Sequence, residues 1–358
     1  VKATQALHDL GQSLWLDDIT RDLLDSGTLK KYIDTLSVTG LTSNPTIFDN
    51  AISKSNSYDD EMKRLMKDGY SGEALFFELA LQDLSRAADL FLPIHQRTAT
   101  VDGFVSLEVS PLLAYDTKAT IASAKRLYAR AHKPNLFIKI PGTKEGLPAI
   151  EEAIFSGVTV NVTLLFSSDD CKAAADAYMK GLERRIAAGL DPDIRSVASI
   201  FISRWDKAVL DTAPDELRDK LGIAVAARAY RDYREGLASD RWQRLVSAGA
   251  RPQRLLFAST STKDPKASDT LYISALAAPN TVNTMPDKTL LAFGDHGKLD
   301  GVLSPDGGDC EQVLAAYEKA GISIAALAAQ LQKEGAASFV SSWQDLLKSI
   351  ETKTSALK

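Results

Sequence analysis

The chain has 358 residues, 45% of them apolar and 25% charged, with a formal net charge of −5. That length suits one elaborated α/β barrel with ample material for a large core. No uninterrupted apolar run approaches the ~18 residues a membrane span needs, and the first residues, Val-Lys-Ala-Thr-Gln, contain no apolar signal core. Starting on Val1, the chain reads as having a trimmed or processed initiator end. Its most arginine-rich stretch, Arg218 to Arg254, also carries Asp215, Glu216, Asp219, Asp232, Glu235 and Asp240 in and around it. It reads as solvated helix surface rather than a nucleic-acid stripe. Cys171 and Cys310 are far apart and in no metal-like spacing, as expected of reduced thiols in a cytoplasmic protein.

Eight short segments carry strand-like patterns: Ser13–Asp18, Val38–Asn44, Phe104–Ser110, Leu136–Ile140, Val158–Phe166, Val197–Ser203, Leu255–Thr260 and Thr281–Met285. Helical patterns such as Arg21–Leu36, Ala119–Ala131 and Lys172–Ala187 lie between most of them. Strands alternating with helices predict a parallel sheet, and eight units predict closure into a (β/α)8 TIM barrel. No repeat or low-complexity linker interrupts the chain, so residues 1–358 are expected to form a single barrel domain. Two regions exceed the minimum. Residues 45–96 read as a long helical insertion between the second and third strands. From about Asp309 to Ile350 the pattern predicts helices covering the barrel, with breaks at Gly321/Ser323 and at Gly335.

Alternation within the strands separates two faces. Val158, Val160, Val162 and Leu164 share one side, with Thr159, Asn161 and Thr163 on the other. Val105, Leu107 and Val109 oppose Ser106, Glu108 and Ser110, and Ile138 and Ile140 oppose Phe137 and Lys139. A half-buried antiparallel sheet alternates in the same way. In a barrel the aliphatic face meets the helices, and polar inward residues near the strand C-termini are where chemistry is done.

The polar residues near those ends form a set: Asp17, Asn44, Glu108, Lys139, Asn161, Thr163, Ser199 and Arg204. One lysine, two carboxylates, two amides, two hydroxyls and a guanidinium suit carbonyl chemistry on a polyol phosphate. An amine within an apolar strand loses hydration, which favours its neutral, nucleophilic form. Such an amine forms an iminium with a ketone, and the carboxylates carry the protons. Taken singly, each residue has a plainer reading. A strand lysine is often an edge gatekeeper or a snorkelling charge. Asp17 and Asp18 suit a helix cap, Glu108 an ordinary ion pair, Asn44-Pro45 a turn, and Arg204 the surface.

At these residues the sequence resembles the transaldolase family through nearly its whole length. Thr42-Ser43-Asn44-Pro45-Thr46 is similar to the family's second-strand signature, with conservative changes at Ser43 and Thr46. Phe137-Ile138-Lys139-Ile140-Pro141-Gly142-Thr143 matches its Schiff-base lysine motif. Asn161 to Ser167 is similar to the fifth strand, Ser199 to Arg204 to the sixth, Trp15-Leu16-Asp17-Asp18 to the first, and Ser106 to Val109 to the third. The Trp-Leu-Asp-Asp form and the segment Asn280–Pro286 resemble the longer bacterial subfamily.

The resemblance implies a Schiff base at Lys139, proton exchange with the C4 hydroxyl at Asp17, and a relay through Glu108, Thr163 and a bound water. It implies that Asn44 and Asn161 hold dihydroxyacetone hydroxyls, that Ser199 and Arg204 bind phosphate, and that Phe201 lines the pocket. It further implies no metal and no organic cofactor. The expected donors are fructose 6-phosphate or sedoheptulose 7-phosphate, with erythrose 4-phosphate or glyceraldehyde 3-phosphate as acceptors, in the non-oxidative pentose phosphate pathway. The expected partners are therefore sugar phosphates, with no nucleic acid and no membrane, and the expected state is monomer or homodimer. One departure stands out. Where the family carries Ala-Ser-Phe-Arg after the seventh strand, this chain has Ala258-Ser259-Thr260-Ser261-Thr262-Lys263. Ser259 is expected to serve, with Lys263 replacing the arginine as a point charge that lacks the fork.

Other features are read as structural. Asp295-His296 with Asp300 is expected to be a loop rather than a metal cluster, and Ser304 to Gly308 a turn. His8, His95 and His132 fall outside the strand ends. Two competing readings remain at this level. One is a fructose 6-phosphate aldolase, usually a much shorter barrel. The other is a non-catalytic sugar-phosphate-binding barrel, which has no need of a positioned base.

Overall fold

The computed structural model describes residues 2–358; Val1, read above as a processed end, lies outside them. Eight parallel strands, β1 (Gln12–Asp17), β2 (Val38–Thr42), β3 (Val105–Glu108), β4 (Leu136–Pro141), β5 (Val160–Leu165), β6 (Ser196–Phe201), β7 (Gln253–Ala258) and β8 (Thr281–Met285), alternate with helices. Their order is β2-β1-β8-β7-β6-β5-β4-β3. The ring is brought together between β2 and β3 by two bonds, Leu41 N–H to Phe104 O at 2.9 Å and Gly103 N–H to Thr39 O at 3.0 Å. The fold is a (β/α)8 barrel.

Burial follows the predicted two faces. Val105, Leu107, Val109, Ile138, Ile140, Val160 and Val162 all join the core between strands and helices. The interior floor is aromatic: Phe104 and Phe137 stack with centroids 4.0 Å apart, and Trp15 lies 6.3 Å from Phe137. Trp15 Nε1–H donates to Asp102 Oδ1 at 2.9 Å, which satisfies the indole's one polar group in the dry interior. Arg254 also reaches this floor, donating to Ser13 Oγ at 2.9 Å and Val101 O at 2.9 Å. It therefore leaves the solvated surface expected for its stretch, because β7 turns it inward beside Asp102. Other arginines of that stretch are paired with acids, such as Arg218 with Asp264, Arg228 with Glu311 and Arg241 with Glu183.

Helix starts are legible in local chemistry. The predicted Ala119 and Lys172 helices begin earlier, at Thr117 and Ser168, because Asp116 and Ser167 cap them through Ala119 N–H and Asp170 N–H. The Arg21–Leu36 pattern divides into Arg21–Asp25 and Thr28–Thr35 around Gly27, whose φ is +77°. Residues 45–96 become three helices, Pro45–Ser53, Asp59–Lys67 and Gly72–Arg97. Asp295-His296, expected in a loop, instead ends the helix Asp287–His296, where His296 bonds Asp269 at 2.8 Å and Asp295 at 3.0 Å. Ser304 to Gly308 is a turn closed on Asp306. Both cysteines are free. No helix among the described residues is long and apolar enough to cross a membrane.

Two expectations fail at the barrel mouth for connected reasons. Gly335 does not break the C-terminal helix, which runs unbroken from Ile324 to Ala356. A Cβ there would stand 3.0 Å from both Arg204 Nη1 and Leu164 Cδ2, so the glycine permits close approach rather than a turn. Leu164 leaves the aliphatic face predicted for it. The β5–β6 register slips between Val162 and Leu165, and Leu164 takes a left-handed φ of +58°. The bulge carries Leu164 into the cluster containing Phe166, Phe201 and Phe339. Gln332 of the helix then bridges two strand ends, donating to Gly142 O at 3.2 Å and Leu164 O at 3.0 Å. Trp343 packs edge-on against Phe76 at 5.1 Å, joining this helix to the insertion helices.

A Cβ on Gly40 would lie 2.5 Å from Trp15 Nε1, and the buried, hydrogen-bonded indole has nowhere to retreat. Gly40→Ala is expected to cost about 1–3 kcal/mol of stability by overpacking. The check is a lower urea midpoint at unchanged slope.

Candidate active site

Register sets polar residues of neighbouring strands side by side. Glu108 pairs with Lys139 across β3–β4, Lys139 with Asn161 across β4–β5, and Asp17 with Thr42 across β1–β2. Lys139 is 6% exposed. Its Nζ donates to Ser43 O at 3.0 Å and stands 3.8 Å from Glu108 Oε2. The lysine is therefore neither an edge gatekeeper nor a snorkelling charge.

The two carboxyls respond to burial. The Glu108 carboxyl is pushed up to about 7 by burial, opposed by Lys139 and helped by the charge of Asp17. Neither of its oxygens, nor Thr163 Oγ1, has a hydrogen-bond partner among the described residues. Burial also raises Asp17, against the pull of Lys139 and a hydrogen bond from Thr42; that bond, Thr42 Oγ1–H to Asp17 Oδ1, is 2.8 Å. Carboxyls held above their usual range beside an amine are suited to take and return protons near neutral pH.

A cavity of about 190 Å³ opens above this group, lined by Asp17, Asn44, Lys139, Thr163, Ser199, Phe201, Arg204, Ser259 and Lys263, together with Thr42, Ser261, Thr284, Pro286 and Phe339. Two of the predicted residues are not on its wall. Glu108 lies behind Lys139, and Asn161 is fully buried beneath, accepting from Ser199 Oγ at 2.7 Å and donating to Ser106 Oγ at 3.2 Å. Asn161 thus orients Ser199 in this structure. Asn44 lines the cavity, but its Oδ1 also caps the next helix, accepting from Ile47 N–H at 3.0 Å.

The cavity wall also carries two cations, Arg204 and Lys263. Arg204 lies against the rings of Phe201 and Phe339, at 5.0 and 5.6 Å, and has no carboxylate partner among the described residues. Burial holds its guanidinium below the usual value. Lys263 donates to Ser261 Oγ at 2.5 Å; burial and then the charges of Lys207 and Arg204 lower it. Ser259, at a left-handed φ of +53°, shares a 2.7 Å bond with Ser203. Cations assembled without acids make a site for an anion. A larger cavity of about 260 Å³ lies outside the barrel, against Ala198, Leu255, Tyr178 and Trp242, and contains none of these polar residues.

The sequence reading did not assign Thr42, Thr284, Ser261 or Phe339. Thr42 sits inside a motif already quoted, and Thr284 follows from the alternation of β8. Phe339 had no signal, since only the packing of the C-terminal helix brings it to the mouth.

Fold and site together define a (β/α)8 barrel enzyme built around a sheltered lysine and two carboxyls. The profile of the Transaldolase/Fructose-6-phosphate aldolase family matches residues 14–350. The chain is 46% identical over 357 residues to a transaldolase of Renibacterium salmoninarum, covering 97% of this chain and 96% of the relative. It is 46% identical over 352 residues to a transaldolase of Thermobifida fusca, with 96% of each covered. Against transaldolase 2 of Streptomyces coelicolor it is 44% identical over 366 residues, covering 99% and 98%. The chain belongs to the transaldolase family and is a transferase.

The raised Glu108 carboxyl has a consequence for stability. Its folded value of about 7 exceeds the ordinary value of a glutamate carboxyl, so the folded state binds the proton more tightly. The stability this contributes is full at low pH and is lost as pH rises towards and through 7. Glu108→Gln never ionises, so its stability relative to wild type should improve from pH 5 to about pH 7 and level off above that. Urea midpoints across that range check this; a constant difference would remove Glu108 as the source.

Proposed function

We propose that the enzyme transfers a dihydroxyacetone unit from fructose 6-phosphate or sedoheptulose 7-phosphate to erythrose 4-phosphate or glyceraldehyde 3-phosphate through a Schiff base on Lys139. This is a step of the non-oxidative pentose phosphate pathway. One observation carries the reading: the Lys139 amine is sheltered 3.8 Å from Glu108, in a cavity also lined by Arg204 and Lys263. A ketose phosphate has the matching polarity, with a carbonyl at one end and a dianion at the other.

Lys139 Nζ, having given up a proton, attacks the ketose C2 carbonyl to form a carbinolamine. Glu108, acting with Thr163 through water, returns a proton to the departing hydroxyl, and water leaves as the iminium forms. Asp17 takes the C4 hydroxyl proton as the C3–C4 bond breaks. The bonding pair flows into the iminium, an aldehyde leaves, and an enamine of three carbons remains on Lys139. The acceptor aldehyde then adds to that enamine, Asp17 returns its proton to the new hydroxyl, and water hydrolyses the product imine. Asn44 supports the donor hydroxyls, with Asn161 acting through Ser199. Arg204, Ser259 and Lys263 hold the phosphate, and Phe201 closes one side.

Borohydride added with fructose 6-phosphate is expected to label Lys139 irreversibly; a label on another lysine, or none, rejects the assignment. Lys139→Ala should abolish turnover with fructose 6-phosphate and erythrose 4-phosphate, whereas Asp17→Ala should still trap the imine but cleave poorly. Wild-type-like rates in both variants would refute that division of labour. Steady release of triose without any acceptor would favour an aldolase instead.

Arg204→Ala tests the anion end. Hydrogen bonds to a charged group contribute about 1.5–3 kcal/mol, so KM for the phosphorylated donor should rise about 10- to 100-fold. Turnover of unphosphorylated fructose should barely change. An equal loss with both substrates would place Arg204 outside phosphate recognition.

A further inference from the structure

Asp17 is not alone on its side of the ring. Thr42 donates to its Oδ1 at 2.8 Å, and the same Thr42 oxygen lies 2.6 Å from Thr284 Oγ1. Thr42 and Thr284 are 2% and 3% exposed. They come from β2 and β8, the two strands that flank β1.

A hydroxyl has a single hydrogen. With the Thr42 hydrogen on the Asp17 carboxylate, the 2.6 Å contact is a hydrogen bond only if Thr284 donates into it. Thr284 Oγ1 makes no other hydrogen bond among the described residues. Its backbone is itself held, since Thr260 Oγ1 lies 2.8 Å from Thr284 O and 2.9 Å from Asn283 Oδ1 and gives its one hydrogen to either carbonyl oxygen in turn. With Asp17 ionised, counting hydrogens fixes the direction of the chain: Thr284 to Thr42 to Asp17.

We infer that Thr284 is a positioning residue for the reaction, which orders the Thr42 hydroxyl and strengthens its bond to Asp17 so that the base stays ionised despite its burial. The inference rests on the reading of Asp17 as the base of the cleavage step. Hydrogen bonds in series polarise one another in a low-dielectric interior, and a donor to a carboxylate favours its charged form. Asp17 needs that support, because burial works against its charge more strongly than Lys139 and Thr42 restore it. The other charges around it do not supply it. Glu108 lies beyond Lys139, and Asp18 is raised to about 6 by burial and by Asp287 and Asp17. Asp287, at the start of the helix after β8, is occupied by the Tyr32 hydroxyl at 2.6 Å. Arg204 and Lys263 line the same cavity and are not among the groups that shift Asp17.

Thr284→Val keeps the shape of the side chain and removes the donor. Cleavage should then lose its acid limb at higher pH, with the midpoint of kcat moved upward by about half a unit, while borohydride trapping on Lys139 and KM stay at wild-type levels. Thr284→Ser, which restores the hydroxyl, should return the profile to wild type. An unshifted profile in Thr284→Val overturns the inference. So does a shift that serine fails to rescue, or loss of trapping in parallel with turnover, which marks general damage to the mouth. Failure of the underlying reading is visible separately, as an Asp17→Ala variant that cleaves normally.

Discussion

The ion pair between Lys139 and Glu108 sets the terms for the rest of the molecule. Both side chains are almost wholly removed from water, and removing two charges from solvent is repaid only where geometry and further polar contacts are good. The closed ring supplies them: Ser43 O accepts from the amine, Asp17 adds a second carboxyl, and the aromatic floor of Trp15, Phe104 and Phe137 keeps water from entering below. An open sheet would leave Lys139 solvated. Closure makes the amine and the acids depend on one another.

Strain gathers at the same end. Leu164 and Ser259 both hold left-handed backbone at the barrel mouth, a conformation costing non-glycine residues of order 1–3 kcal/mol each. The first lets β5 deliver a carbonyl and a leucine to the C-terminal helix. The second brings a hydroxyl beside Ser203, next to Arg204. Gly335 completes the fit by making room for the guanidinium. The helix Ile324–Ala356 is thus part of the cavity wall, and Phe339 gives Arg204 its second aromatic face.

Much of this was legible beforehand. Period-two alternation separated the helix-facing aliphatics of β3 and β4 from Glu108 and Lys139, because a strand offers only two directions. The eight strand positions followed from the spacing of apolar runs, whereas the helix starts at Thr117 and Ser168 were read two and four residues late. Leu164 escaped the pattern because a bulge inverts side-chain direction without altering the residues that encode alternation. Gly335 escaped it because a glycine that ends a helix and one that admits a neighbour look alike in sequence.

By itself the sequence determined the barrel, its polar inner rim and the residues Lys139, Asp17, Glu108 and Arg204, since these depend on local periodicity and on motifs contained in single strands. Only the tertiary structure decided that Glu108 and Asn161 stand off the cavity wall, that Arg254 turns into the floor, and that Phe339 reaches the site. Those outcomes arise from contacts between separate elements, as between Arg254 and Ser13 or Phe339 and Arg204. Bulges, close approaches and helix docking fix such contacts, and none of them leaves a periodic trace along the chain.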